Sequence, residues 1–352
     1  MAITLKDEMI DGTKPRLRSV RRRRLVLGAA AAMASLGTRL HAQTVKPLQV
    51  GGLPVTCNLT LPVACAATAA DAGVAKASPL FEFSKYSGWP ELKESLMTGR
   101  IKAAYMLAPL IMDLAESAIP VKVVSLGHRS GAVIMVRTDS PYKRFKDLSG
   151  KRVAIPSRFA VDYLFLRKML AKEGMTVKDV DVIEMAPPDM PAALYAKAVD
   201  AYATGEPFGA AAQRAGYARP LSMTRDEWPN YICCVLTVRD ELIREYRSVV
   251  QQLVNYVQAA GTWLDLAPAN RTKAVQIAAG PKFFNQDPNV LQYVMDNPSD
   301  RVTYGDLRLV KQEFDELMQI SIDAGTIKRR APYERYVDES FVKSIAPVRI
   351  AL

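Results

Sequence analysis

The chain has 352 residues, 49% hydrophobic and 24% charged, with a formal net charge of +11. That length and mixture belong to a globular protein with room for two cores, and they exclude a disordered or low-complexity chain. Residues 1–42 hold nine of the 47 basic and three of the 36 acidic residues, so the remainder carries only +5. No later segment concentrates Lys and Arg with interleaved aromatics, so no nucleic-acid partner is expected. The mild surplus leaves a small anionic ligand open.

In chain order, Ser19-Val20 and Arg21 to Arg24 run into Leu25-Val26-Leu27-Gly28 and an alanine-rich stretch ending Leu40-His41-Ala42-Gln43. A basic region, a short apolar region and a small residue at the end predict a secretory signal over residues 1–42, cleaved near Ala42. The doubled arginines, followed one residue on by Leu25, favour the twin-arginine route, which carries proteins already folded. The apolar run from Leu25 to Leu36 is too short for a hydrocarbon layer of roughly 30 Å. Beyond it, no uninterrupted apolar run reaches roughly 18 residues. The expected location is the periplasm, in soluble form.

The remaining chain alternates strand-like and helix-like segments, which predicts an α/β architecture of sheets flanked by helices. Strands are expected at 48–53, 81–86, 101–107 and 121–126, with helices at 59–72, from Trp89 and at 108–118. Pro90 suits the first helical position, Glu91 the positive end of the dipole, and Gly99 a left-handed stop. Further strands are expected at 132–137, 152–155, 180–185 and 201–203, and helices at 157–173 and 191–199. Pro207 is expected to open a helix. Tyr231 to Val238 reads as one long apolar strand returning to the first unit, and helical spacing follows over 242–264 and 310–320. The expected lobes are 46–134 plus 236–352, and 135–235.

Four cysteines stand at 57, 65, 233 and 234, and the only histidines are His41 and His128. An oxidising compartment permits disulfides, but this spacing is no recognisable framework. Cys233 and Cys234, read as neighbours in a strand, point to opposite faces. No Cys-x-x-Cys or His-x-x-x-His spacing supplies a metal site, so no metal and no cofactor are expected. No Ser-His-Asp, Cys-His or phosphate-loop constellation assembles around one remaining histidine, so no catalytic residues are expected.

The run Gly88-Trp89-Pro90-Glu91-Leu92 through Thr98-Gly99-Arg100-Ile101-Lys102-Ala103-Ala104-Tyr105-Met106-Leu107-Ala108-Pro109 resembles the periplasmic substrate-binding proteins of nitrate/sulfonate/bicarbonate/taurine ABC transporters, the NMT1/THI5-like group. Supporting strings are Ser140-Pro141 with Asp147-Leu148-Ser149-Gly150-Lys151, Gly205-Glu206-Pro207-Phe208, and Tyr336-Val337-Asp338-Glu339-Ser340-Phe341. The resemblance implies a type II two-lobe binding protein. Each lobe would be a mainly parallel sheet flanked by helices, with the ligand cleft between them. It implies a small organic or oxyanionic ligand, such as a sulfonate, a nitrate- or bicarbonate-like anion or a pyrimidine. It also implies an ABC transporter permease in the inner membrane as partner, and a monomer. A ligand-sensing subunit is the alternative, with a pyrimidine-precursor enzyme behind it.

In such a fold the loops after the strand C-termini and the helix N-termini meet at the cleft. The candidate ligand residues are therefore Thr56, Cys57 and Asn58 after the first strand, Trp89 after the second, and Leu107 and Ala108 after the third. His128, Ser130 and Gly131 occupy the first crossover, Ser157, Arg158 and Asp162 a helix start in lobe two, and Glu206 and Phe208 the end of its last strand. Asn58 is favoured as a polar contact, and several of the others have a plainer alternative. Trp89 equally suits a core anchor, His128 a bond to backbone, Arg158 a solvated surface, Cys57 a small buried thiol, and Glu206 a helix-start acceptor. The nitrate and bicarbonate binders start the lobe-two helix with His-Asn; here Asp162-Tyr163 precedes Leu164-Phe165-Leu166-Arg167. In that register a carboxylate replaces an imidazole, which disfavours nitrate and suits an amine-bearing ligand, a neutral heterocycle or an aminosulfonate. An Asp in the first helical turn also satisfies the dipole without any ligand.

Overall fold

The computed structural model describes residues 46–352 apart from Lys76, so the expected leader and its cleavage point lie outside the described residues. The first half runs β1 (Leu48–Gly52), α1 (Thr60–Ala75), β2 (Phe81–Lys85), α2 (Trp89–Met97), β3 (Ala103–Leu107), α3 (Ala108–Glu116) and β4 (Val121–Leu126). Then come the short β5 (Arg129–Ser130), β6 (Ala132–Arg137), β7 (Arg152–Ile155), α4 (Val161–Lys172), β8 (Asp181–Glu184), α5 (Met190–Tyr195), β9 (Ala201–Gly205) and α6 (Phe208–Arg214). The chain continues through β10 (Ala218–Met223), β11 (Cys234–Arg239), α7 (Asp240–Leu266), α8 (Pro268–Ala279), α9 (Pro288–Asp296), β12 (Val302–Thr303) and α10 (Lys311–Asp323).

Local chemistry explains the boundaries. Helix α2 has Pro90 in its first turn, where no amide is missed, and buries Leu92 and Leu96 one turn apart. It is followed by Gly99 at φ 76°, a left-handed conformation that glycine adopts without strain. Strand β3 is buried at all five positions, as an interior strand covered on both faces must be. Helix α7 begins with Asp240 and Glu241 at its positive end and breaks helical geometry at Tyr246.

The strands form two five-stranded sheets, β2-β1-β3-β11-β4 and β10-β6-β9-β7-β8. In each sheet four strands run one way and one runs against them. In the first the opposed strand is β11, antiparallel to β3 and β4; in the second it is β6, antiparallel to β9 and β10. These opposed strands carry the two crossings between lobes. Residue 134 lies inside β6, which pairs from Ala132 to Val136 with β9, so a division at 134/135 cuts a continuous strand.

Several features differ from the sequence expectation. Strand β11 starts at Cys234 rather than Tyr231, because Ile232 makes only a single bridge to Arg129 and Cys233 sits in extended chain before the ladder. The helix after Glu206-Pro207 begins at Phe208, with Pro207 just outside it. Strand β10 and the β5/β12 ribbon were not expected. A single buried side chain pins the crossings: Arg129 donates to the Asp306 and Asn230 carbonyls and pairs with Glu313 of α10 at 2.9 Å. Among the described residues, no helix is long and apolar enough to cross a membrane.

Candidate functional site

Because β1, β3 and β4 run together and β11 runs against them, the chain entering β11 meets the loops leaving the other three at one sheet edge. Cys57 follows β1, His128 follows β4, and Cys233 immediately precedes β11. The Cys57 Sγ, a ring nitrogen of His128 and the Cys233 Sγ lie within 4.8 Å of one another, all buried. Backbone bonds fix this meeting point. The Ala108 amide donates to the Cys233 carbonyl at 3.0 Å, and the Gly127 amide donates to the Cys234 carbonyl at 2.9 Å. Gly205 stands against the sulfur of Cys57: a Cβ there would lie 3.1 Å from it. Asp162 comes from the second sheet's edge, in the first turn of α4 after β7.

The polar atoms here lack partners. Neither nitrogen of His128 is hydrogen-bonded, nor are Asp162 Oδ1 and the Tyr231 hydroxyl, although all are buried. Leaving such a group unpaired costs about 1–3 kcal/mol, so their concentration makes this the candidate site.

Electrostatics separate the acids. Hydrogen bonds from Cys233 and then Cys234 hold the Cys57 thiol down to about 6, against burial and the charges of Asp162 and Glu206. Burial pushes the Cys233 and Cys234 thiols up, so Cys57 ionises first. Burial, reinforced by Cys233, raises Asp162 to about 8, which leaves it mostly protonated at neutral pH. Burial also pushes the Tyr231 hydroxyl well up. All four cysteines are free thiols.

The other sequence candidates go elsewhere or serve the frame. Thr56 donates through amide and hydroxyl to the Glu206 carbonyl, at 2.9 and 3.1 Å, and accepts from Tyr304 through its own carbonyl. The Asn58 Nδ2 donates to the Leu53 carbonyl, while its Oδ1 has no partner. Trp89 is buried in the first lobe's core, as are Leu107 and Ala108. Ser130 holds φ 62° and accepts from the Asn230 amide; Gly131 holds φ 97° and accepts from the Glu206 amide. The Ser157 hydroxyl accepts from the Phe159 amide at the approach to α4.

Arg158 points outward, exposed and 3.4 Å from Glu184, so it is not part of the buried cluster. Glu206 is fully buried, accepts from the Ala210 amide at the start of α6, and faces Arg301 at 3.1 Å. Burial raises its carboxyl, against the pull of Arg301 and the Ala210 and Gly209 amides. Phe208 accepts from the Tyr202 hydroxyl through its carbonyl. Sequence reasoning omitted Tyr231 and Cys233 because an apolar strand explained both. Their nearness to a prospective hinge was the available signal.

The family model of the NMT1-like family matches residues 41–279. The chain belongs to the NMT1-like family. Among curated relatives of this chain, the nitrate/nitrite binding protein NrtA of Nostoc sp. is 23% identical over 69% of this chain and 59% of its own length. Matches to the first curated relatives span a third to about three fifths of those proteins. A ligand-binding component of an ABC-type import system from Staphylococcus aureus, solved with zinc bound, superposes with TM-score 0.75 at 26% identity, over 86% of this chain and 99% of that one. The periplasmic nitrate-binding protein NrtA from Synechocystis PCC 6803 superposes with TM-score 0.75 at 17% identity, over 85% and 88%. The NMT1-like chain thus has the two-lobe fold of periplasmic binding proteins. That fold also carries chemistry: the desulfurization enzyme DSZB shares it with TM-score 0.62 at 18% identity, over 84% and 97%.

Proposed function

We propose that this protein is the solute-binding component of an ABC importer in the periplasm, holding a small ligand between its lobes and presenting it to a permease. The lobes are residues 46–131 with 232–352, and 132–231, so that each crossing falls between sheets rather than within a strand. The observation that carries the reading is the convergence of unpaired, buried polar atoms from both lobes: His128 from the first, Asp162 and the crossing residue Tyr231 from the second. The alternation of sheets joined by two crossings allows closure about the segments near Gly131 and Cys233. The protein captures rather than transforms its ligand, and export follows the twin-arginine route.

The chemistry of the site favours a neutral or cationic hydrogen-bonding solute, such as an aminated heterocycle, over nitrate or a sulfonate. The nearby guanidinium groups are engaged: Arg129 with Glu313, Arg301 with Glu206, Arg158 with Glu184 outside the cluster. Asp162, protonated, donates to a ring nitrogen; ionised, it pairs with an ammonium. Thermal unfolding against nitrate, bicarbonate, taurine, alkanesulfonates and aminopyrimidines tests this, since a ligand of the native state stabilises by RT ln(1 + [L]/Kd). A selective rise with an aminated ring is expected. A rise with nitrate or sulfonates alone would overturn the ligand class, and none with any would remove the capture reading for these solutes.

A further inference from the structure

Cys57, His128 and Cys233 are widely separated in sequence, and the sheet topology alone brings their donor atoms within 4.8 Å. A tetrahedral zinc centre with bonds of ~2.3 Å to sulfur and ~2.0 Å to nitrogen needs its donors roughly 3.5–3.8 Å apart, within the 4.8 Å that spans these three. The donor set is thiolate, thiolate and imidazole, which suits borderline-soft divalent ions and not calcium or magnesium. His128 is buried with both nitrogens free of any partner, so one lone pair is available to a metal. Two thiolates and a neutral imidazole sum to two negative charges, which a dication cancels, and a buried apolar setting demands such balance.

We propose that Cys57, His128 and Cys233 form a binding site for a zinc-like divalent cation at the edge of the first sheet. All three donors belong to one lobe, so the site is assembled before any closure. Three protein donors leave a fourth position for water or for solute. The inference goes beyond the solute reading and survives its failure, because metal uptake is measured with no solute present.

The test uses the full-length chain, stripped with a chelator and held reduced, titrated with Co²⁺ and then Zn²⁺. One Co²⁺ per chain is expected, with a near-ultraviolet thiolate-to-cobalt band and the intense visible bands of a tetrahedral centre, both abolished by Zn²⁺. Cys57→Ser, Cys233→Ser and His128→Ala are expected to weaken binding beyond the roughly 100-fold that loss of an outer partner costs, while Cys65→Ser, a buried thiol outside the cluster, retains it. On the wild-type chain, Zn²⁺ is expected to protect Cys57 and Cys233 from alkylation and to leave Cys65 labelling unchanged, which keeps the test open if a variant misfolds. Absence of the charge-transfer band, its persistence in both serine variants, or protection confined to other cysteines would overturn the site.

Discussion

Glu206 and Arg301, both buried, stand 3.1 Å apart, joining the end of β9 to the chain just before β12. Arg301 also donates to Gln213 at 2.8 Å, and Glu206 accepts from the Ala210 amide, so each charge is held by more than the pair. Removing one member strands the other. Arg301→Ala is expected to cost about 3–5 kcal/mol, and Glu206→Gln with Arg301→Met to recover most of it. Denaturant midpoints of the single and double variants check this; equal loss in both would refute the pairing.

Asp162 makes stability depend on pH. Its carboxyl moves from an ordinary 3.8 to about 8 in the fold, so between those values the native state binds the extra proton. Stability from this group is therefore full below pH 3.8 and declines as pH rises toward 8. Asp162→Asn, neutral and of equal size, is expected to flatten that decline and to gain on the wild type toward pH 9. Unfolding midpoints across pH 4–9 decide it. A wild-type curve with the same slope as the variant would show that the carboxyl does not titrate there.

Arg158, in the turn that leads into α4, provides a contrast. Its guanidinium faces Glu184 in an exposed pair and lies 5.8 Å from the Tyr163 ring centre. Such pairs are worth little. Arg158→Ala is expected to leave both stability and the solute-induced thermal shift unchanged, whereas His128→Ala removes the shift. Loss of the shift in the Arg158 variant would return that side chain to the ligand.

Gly131 is held at φ 97°, and a Cβ would stand 3.0 Å from Val302 Cγ2. Gly131→Ala therefore meets both backbone strain and a contact that must give, at an expected cost of about 1–3 kcal/mol. Because this residue precedes β6 at a crossing, the same variant should slow closure in stopped-flow binding. Unchanged stability and unchanged kinetics would remove the hinge assignment.

Replacing Arg21, Arg22, Arg23 and Arg24 together by Lys keeps the leader's charge and removes the doubled arginines. If export follows the twin-arginine route, the variant accumulates uncleaved in the cytoplasm. Normal processing in cell fractions would point to the general secretory route instead.

Much of the architecture was legible because buried strands leave apolar runs and helix ends leave Pro, Gly and acidic residues. Val121–Leu126 and Arg152–Ile155 match their expected ranges at both ends. Strand β10 escaped because Arg219, Pro220 and Ser222 interrupt its pattern, and its place at the sheet edge tolerates them. For the site, loop position identified Cys57, His128 and Asp162 as candidates, but could not distinguish Arg158 from them. Outward direction at Arg158 follows from the turn between β7 and α4. Cys233 was misassigned to a strand interior for a related reason: apolar neighbours hide whether a residue joins the ladder or stops one short of it.

The place of β11 in its sheet also orders the folding of a growing chain. The second sheet is made from one contiguous stretch, 132–223, and has every strand once residue 223 has been synthesised. The first sheet waits. Its β3 and β4 are complete by residue 126, yet the strand that belongs between them ends at Arg239, more than a hundred residues later. Until then two apolar strand edges face an empty slot, the situation in which nascent chains attract chaperones or pair wrongly. A chain ending after β10 and before β11 would therefore carry a second lobe with all its strands and a first lobe open along its middle.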